Sequence, residues 1–150
     1  MTGFPERPRG EVPALTADQM RQVDRLMVED QHIELLQMME SAGRSLADAA
    51  LALFAPATVA VLAGPGGNGG GGLVGARHHA NRGVEVAVVL AAPGRMTPVA
   101  AHQLDAVRRM GIPVGDDLPA TDLVVDALVG YSLHGPLRGR ARDLVEQLGL

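Results

Sequence analysis

Apolar positions recur along this chain with two different periods, and the changes of period mark its elements. Thr16-Ala-Asp-Gln19 is a capping-box pattern, in which the Thr and Gln side chains satisfy each other's backbone donors, so a first helix is expected to open there. Met20, Val23, Asp24, Met27 and Val28 follow at helical spacing. A second helix is expected from about Ile33 to Phe54, with Leu35, Leu36, Met38, Met39, Ala42, Leu46, Ala49, Ala50 and Leu53 as its apolar side. The methionines on it read as core or interface packing. Gly43 inside that helix costs about 1 kcal/mol relative to Ala, so a close backbone approach is expected there. The run Val59 to Ala63 has the length and β-branched content of a buried strand. Further strands are expected at Val84 to Leu90, Gly111 to Val114 and Asp122 to Val129. Asp122–Val129 is nearly all apolar, as in a buried parallel strand. Helices are expected from about Gly72 to Asn81, stopped by Arg82-Gly83, and from Thr97-Pro98 to about Met110. Strands alternating with helices imply a doubly wound α/β sheet with right-handed crossovers. Strand four is expected beside strand one, with a crevice between their C-terminal ends.

Between the first strand and its helix, eight of the nine residues from Gly64 to Gly72 are Gly or Pro, Asn68 being the exception. Glycine weakens helix and strand alike, so this segment is expected to be a loop. Strand, glycine loop and helix start together make a phosphate-binding turn, because backbone N–H groups at a helix N-terminus face the loop. Gly64-x-Gly66-x-x-Gly69 fits the dinucleotide fingerprint, a weak signal in a stretch that matches many spacings. A P-loop would need Gly-Lys-Ser/Thr, and the chain contains no lysine. A dehydrogenase would want an acid at the end of the second strand for the ribose hydroxyls, where this chain reads Val88-Val-Leu-Ala-Ala92. His78 and His79 are neighbours on one helix and face different directions, so they read as solvated or packed rather than as a metal pair. Asp126, late in the fourth strand, reads from the residues alone equally well as a turn cap or as a site carboxylate.

Composition narrows the function classes. The 150 residues suit one domain; aromatics are 2%, which favours small-residue α/β packing over an aromatic-rich sandwich. A formal charge of −4 leaves no electrostatic footprint for nucleic acid. The absence of cysteine removes disulfide and thiol chemistry and fits a cytoplasmic setting. No stretch approaches the roughly 18 apolar residues of a membrane span. Met1 to Gly10 carries no apolar core of a signal peptide, and residues 1–14 are expected to be a flexible tail.

The stretch from Gly64 to Arg77 resembles the signature of the NAD(P)H-hydrate epimerases, the YjeF N-terminal domain family, G-P-G-N-N-G-G-D-G-L-V-x-A-R. Gly64, Pro65, Gly66, Asn68, Gly69, Gly70, Gly72, Leu73, Val74, Ala76 and Arg77 stand in register, while Gly67 replaces an Asn and Gly71 an Asp. Leu15-Thr-Ala-Asp-Gln-Met-Arg-Gln-Val-Asp24 and Met39-Glu-Ser-Ala-Gly43 resemble the family's L-T-x-x-Q-M-R-x-x-D and M-E-x-A-G elements. Asp126-Ala127, then Gly130-Tyr-Ser-Leu133 and Gly135-Pro-Leu-Arg138, resemble its D-A-x-x-G segment and the turn that follows.

The resemblance implies a Rossmann-like three-layer α/β/α fold with a mostly parallel sheet, preceded by two N-terminal helices, over residues 15–150. It implies a potassium ion held by Asn68 and Asp126, an oxygen set that suits a hard cation. It places the hydrated nicotinamide dinucleotide, NADHX or NADPHX, between two loops. One is Gly67, Asn68, Gly69, Gly70 and Gly71; the other is Gly130, Tyr131, Ser132, Leu133, His134, Gly135 and Pro136. Asp126 is the acid/base candidate for epimerisation of the R and S forms. The family continues into a further strand carrying D-x-P-S-G beyond the length of this chain, so the domain is expected to be incomplete, with a sheet edge unpaired. A homodimer or a completing partner chain would cover that edge. Two readings follow: an epimerase, or a catalytically impaired nucleotide-binding or interaction module of the same fold.

Overall fold

The computed structural model describes residues 8, 10 and 13–149; the expected tail lies for the most part outside them. Helices α1 (Ala17–Glu29) and α2 (Leu35–Phe54) precede β1 (Thr58–Ala63), α3 (Gly67–Asn81) and β2 (Glu85–Leu90). A short 3-10 turn at Pro93–Arg95 leads to α4 (Pro98–Arg109), β3 (Val114–Gly115), β4 (Leu123–Ala127) and α5 (Gly139–Gln147). The capping box forms as expected: Gln19 N–H donates to Thr16 Oγ1 at 3.2 Å and Thr16 N–H to Gln19 Oε1 at 2.9 Å. The second helix opens two residues later than its apolar pattern, because Glu34 caps it in a reciprocal bond with Gln37. The fourth strand is shorter than its apolar run, because Asp122 turns its carboxylate on to backbone N–H groups at the strand entrance.

The sheet is parallel throughout, in the order β3-β2-β1-β4. Helix α3 links β1 to β2 and α4 links β2 to β3, and both contribute to the core cluster of Val59, Val61, Val86, Val88, Leu73, Leu104 and Val107. Helix α5 covers the other face, where Leu144 packs with Leu62, Val89 and Leu128. After β3 the chain returns to the far side of β1. The strand order therefore reverses between β1 and β4, and an α/β sheet opens a crevice at such a point.

The glycine run departs from expectation. It is helix, not loop: α3 begins at Gly67, five residues earlier than the apolar pattern alone indicates. Tertiary packing overrides the propensity penalty, because side chains would collide there. A Cβ on Gly69 would lie 1.9 Å from the Gly64 carbonyl oxygen, and one on Gly72 would lie 2.5 Å from the Ala127 Cβ. Gly43 on α2 answers to the same geometry, since its added Cβ would meet Val74 Cβ at 2.5 Å and the Gly71 carbonyl at 2.8 Å. The α2–α3 interface is thus a close approach of backbones, as anticipated for Gly43.

Candidate functional site at the β1–β4 crevice

The crevice is built from two turns that follow neighbouring strands. Gly64 leaves β1 with its N–H donating to the Ala127 carbonyl at 3.0 Å, so close to β4 that an added Cβ would fall 1.8 Å from the Leu128 carbonyl oxygen. Only glycine fits there. Gly66 is the extended N-cap of α3 and brings no side chain to cap it. The first bond into the helix runs from Gly70 N–H to the Gly66 carbonyl at 3.0 Å. The N–H groups of Gly67, Asn68 and Gly69 precede it, and among the described residues none has an acceptor. A row of free N–H groups at the positive end of a 15-residue helix has the chemistry to seat an anion.

The glycines of the run divide by what surrounds them. Gly69 and Gly70 are buried, Gly70 lying against the Met39 thioether, so packing accounts for their missing side chains. Gly66 and Gly71 would meet nothing within 4 Å, and Gly67 only the Met39 methyl at 3.8 Å. These three positions have room for a side chain that the sequence does not supply.

From the other side, the turn after β4 is held against α3. Asn68 Nδ2 donates to the Val129 carbonyl at 2.8 Å, and a Cβ on Gly130 would lie 3.3 Å from the Asn68 Cβ. The two expected loops do meet, at Asn68 and Gly130. Asp126 lies opposite Leu62 in the β1–β4 register and is exposed between buried Val125 and Ala127, as strand alternation requires. Its Oδ1 accepts the Leu128 N–H at 2.9 Å, and Oδ2 has no partner among the described residues. Asp126 therefore caps its own turn, as one of its two sequence readings expects, while keeping one oxygen without a partner among the described residues.

Beyond Gly130 the loop is exposed. Ser132, Leu133, His134, Gly135 and Pro136 face solvent, and the loop closes on itself through Leu133 N–H to the Gly130 carbonyl at 3.2 Å. His134 hydrogen-bonds no described residue, so the structure does not bring it into the cluster around Asn68. Tyr131 reaches away to α1, where its hydroxyl donates to Asp24 at 2.6 Å and the Arg21 guanidinium stands 5.9 Å from its ring centroid. The hydrogen bond to Asp24, with burial and the carboxylate charge, pushes the Tyr131 phenol above its ordinary value.

Two polar clusters escaped the sequence reading, and one histidine that it reads as solvated or packed is packed. Glu40 on α2 binds both Arg77 and His78 on α3, the latter at 2.7 Å. Burial acts to raise the Glu40 carboxyl, but the hydrogen bonds and charges of His78 and Arg77 outweigh it and leave it lowered. His79, the other member of the histidine pair, is fully buried with neither ring nitrogen bonded to a described residue. Burial, then the nearby Arg82 and His78 charges, pushes its imidazole down. Asp122 accepts N–H groups of Ala57 at 3.0 Å and Thr58 at 2.9 Å, while its own N–H donates to Thr58 Oγ1 at 2.9 Å. No local pattern signals these pairings, since the partners stand 37 to 65 residues apart. Glu40 and Arg77 were visible only as members of the Met39–Gly43 and Gly64–Arg77 elements.

Residues 35–149 match the family described as YjeF-related protein N-terminus. The chain belongs to this family. Within it, the chain is 41% identical over 145 residues to an NAD(P)H-hydrate epimerase of Dehalogenimonas lykanthroporepellens, covering 91% of this chain and 59% of that protein. It is 35% identical over 149 residues to an NAD(P)H-hydrate epimerase of Rhodopirellula baltica, covering 93% and 61%. Its fold matches the crystal structure of the yeast protein YNL200c with a TM-score of 0.77 at 27% identity, over 91% of this chain and 65% of the yeast one. This YjeF-family chain thus spans about three-fifths of the length of the curated relatives it matches.

The YjeF-family assignment bears out the resemblance drawn from the glycine stretch and from the segment after Asp126. It also bears out the three-layer α/β fold, with its sheet wholly rather than mostly parallel among the described residues.

Proposed function

We propose that this chain carries the activity of an NAD(P)H-hydrate epimerase, interconverting the R and S forms of NADHX and NADPHX. The observation that carries the reading is the row of free N–H groups at Gly67, Asn68 and Gly69, set against the Val129–Gly130 turn at the β1–β4 switch point. A dinucleotide diphosphate suits that row, and relatives sharing 35–41% of this sequence bear the epimerase name. Gly67 to Gly71 and Gly130 to Pro136 are then the two walls of the substrate cleft.

Asp126 is the acid/base group of the proposal. Its carboxylate relays a proton from solvent to the departing hydroxyl of the hydrated ring carbon, and the ring nitrogen lone pair assists as that C–O bond breaks. Water returns on the opposite face and gives a proton back to the carboxylate. The free Oδ2 of Asp126 supports the role.

The same residues fit a potassium ion. Asn68 spends its Nδ2 on Val129, which leaves Oδ1 uncommitted, and Asp126 Oδ1 has a second lone pair beside the Leu128 N–H bond, leaving Oδ2 for the proton; two oxygens suit a hard cation. When bound, the ion supplies positive charge beside the substrate's oxygens. Among the described residues no cluster of three or more His, Cys, Asp or Glu side chains could hold a metal, so the site would rely on amide, carboxylate and substrate oxygens.

The proposal includes a cytoplasmic setting and no nucleic-acid partner, in keeping with the net charge of −4 and the lack of cysteine. No described helix is long and apolar enough to cross a membrane. Among the described residues β4 pairs only with β1, which supports a homodimer or a partner chain covering its outer edge.

A second reading, an impaired nucleotide-binding module, is favoured by one observation: Gly67 and Gly71 leave open space where the family signature carries Asn and Asp. The rate of R-to-S NADHX conversion by the purified chain, with and without potassium, separates the two. The epimerase reading expects potassium-dependent acceleration over the spontaneous background. A folded protein with background rate and retained dinucleotide binding would support the second.

A further inference from the structure

Helix α1 is nearly detached from the core. None of its residues is fully buried: Ala17, Met20, Asp24, Met27 and Val28 make its half-buried side, while Val23 and Leu26 stay 37% and 40% exposed. On that half-buried side Asp24, with Arg21 beside it, is engaged with one distant residue. Arg21 and Asp24 stand three apart, hence on one side of the helix, and both address Tyr131, 107 positions from Asp24 in the chain. Arg21 is in turn paired with Asp18 one turn earlier. Two attachments converging on a single ring resist its tilt and its slide together; one exposed hydrogen bond would not.

Tyr131 is placed so that this grip matters. It directly follows Gly130, which abuts Asn68, and it begins the exposed loop through Pro136. Among the described residues, the Tyr131–Asp24 bond is the one hydrogen bond that ties residues 131–136 to another element. We infer that α1 is a positioning element for the crevice, with Asp24 and Arg21 seating Tyr131 and so fixing the loop Gly130–Pro136 against the glycine turn. Asp24 and Arg21 touch no reacting atom; they act through Tyr131. The inference rests on the epimerase reading only for its catalytic consequence, since the seating of the loop is a property of the chain itself.

The test combines hydrogen–deuterium exchange of the 130–136 segment with NADHX epimerisation kinetics. Both are run on the full chain and on Asp24→Ala, Tyr131→Phe, the double variant and Asp24→Asn, each first checked for an intact thermal transition. Removing a hydrogen bond to a carboxylate should speed exchange of the loop by about tenfold. It should raise KM by a similar factor, with a much smaller change in kcat. The double variant should be no worse than either single one, because both break one contact. Asp24→Asn, which keeps an acceptor oxygen, should recover most of the protection. Wild-type exchange in Asp24→Ala would overturn the inference, as would multiplicative effects in the double variant or an Asp24→Asn as damaging as Asp24→Ala. A wild-type chain without turnover would instead sink the epimerase reading, and the exchange data would still decide the positioning role.

Discussion

At the scale of single residues, the chain depends on atoms it lacks. A Cβ on Gly69 would sit 1.9 Å from a backbone carbonyl that cannot swing aside. Gly69→Ala should therefore destabilise the fold by about 2–3 kcal/mol or more, the cost of overpacking against a rigid neighbour, measurable by urea denaturation. Gly71 has nothing within 4 Å, so Gly71→Asp should fold normally and gain about a few tenths of a kcal/mol from better helix propensity. A large loss of stability in Gly71→Asp would contradict the packing described here. Asp122 offers a test by pH. Its carboxyl is lowered by the Thr58 and Ala57 hydrogen bonds, so its contribution is present above the unfolded value and lost as pH falls through the folded one. The stability gap between wild type and Asp122→Asn should accordingly narrow as pH drops below about 4. This residue also marks a limit of sequence reading: Asp122 was legible as the start of a strand, but its partner Thr58 is 64 positions away and no local pattern joins them.

At the scale of elements, the apolar periods and cap residues located the strands and the helices α1, α2 and α4 to within a few positions, but not the start of α3, and they did not mark α5. Thr16, Thr97 and the Pro98 that follows it cap helices as their chemistry dictates. The glycine run did not follow its propensity, because propensity is a local quantity and the reason for the glycines is not. Gly64 and Gly72 are set by Leu128 and Ala127, contacts that exist only once β1 lies beside β4 and α3 lies on both. Helix α3 also buries His79 without a partner among the described residues, with its imidazole pushed down by burial and neighbouring charge. The unfolded chain binds that proton more readily than the folded one, so stability should fall as pH drops below about 6.5. In His79→Leu, that part of the decline should disappear from a series of melting temperatures. An unchanged decline would assign the effect to another group.

At the scale of the whole molecule, the position of the crevice follows from topology. Strand order reverses between β1 and β4, and the two turns leaving those strands carry both the free N–H groups and Asp126. The glycine stretch made the first turn legible in sequence, and the Asp126–Pro136 segment made the second legible by its resemblance. What sequence could not convey is the joining of the two by Asn68 to Val129, and the grip of α1 on Tyr131, because both depend on how distant segments dock. We propose that these turns form an epimerase cleft. This is tested most directly by the rate of R-to-S NADHX conversion with the purified chain, with and without potassium, beside Asp126→Asn. Acceleration over the spontaneous background is expected, rising with potassium and dropping by about 10²-fold or more in Asp126→Asn. A background rate in folded protein under both conditions, or full activity in Asp126→Asn, would contradict it.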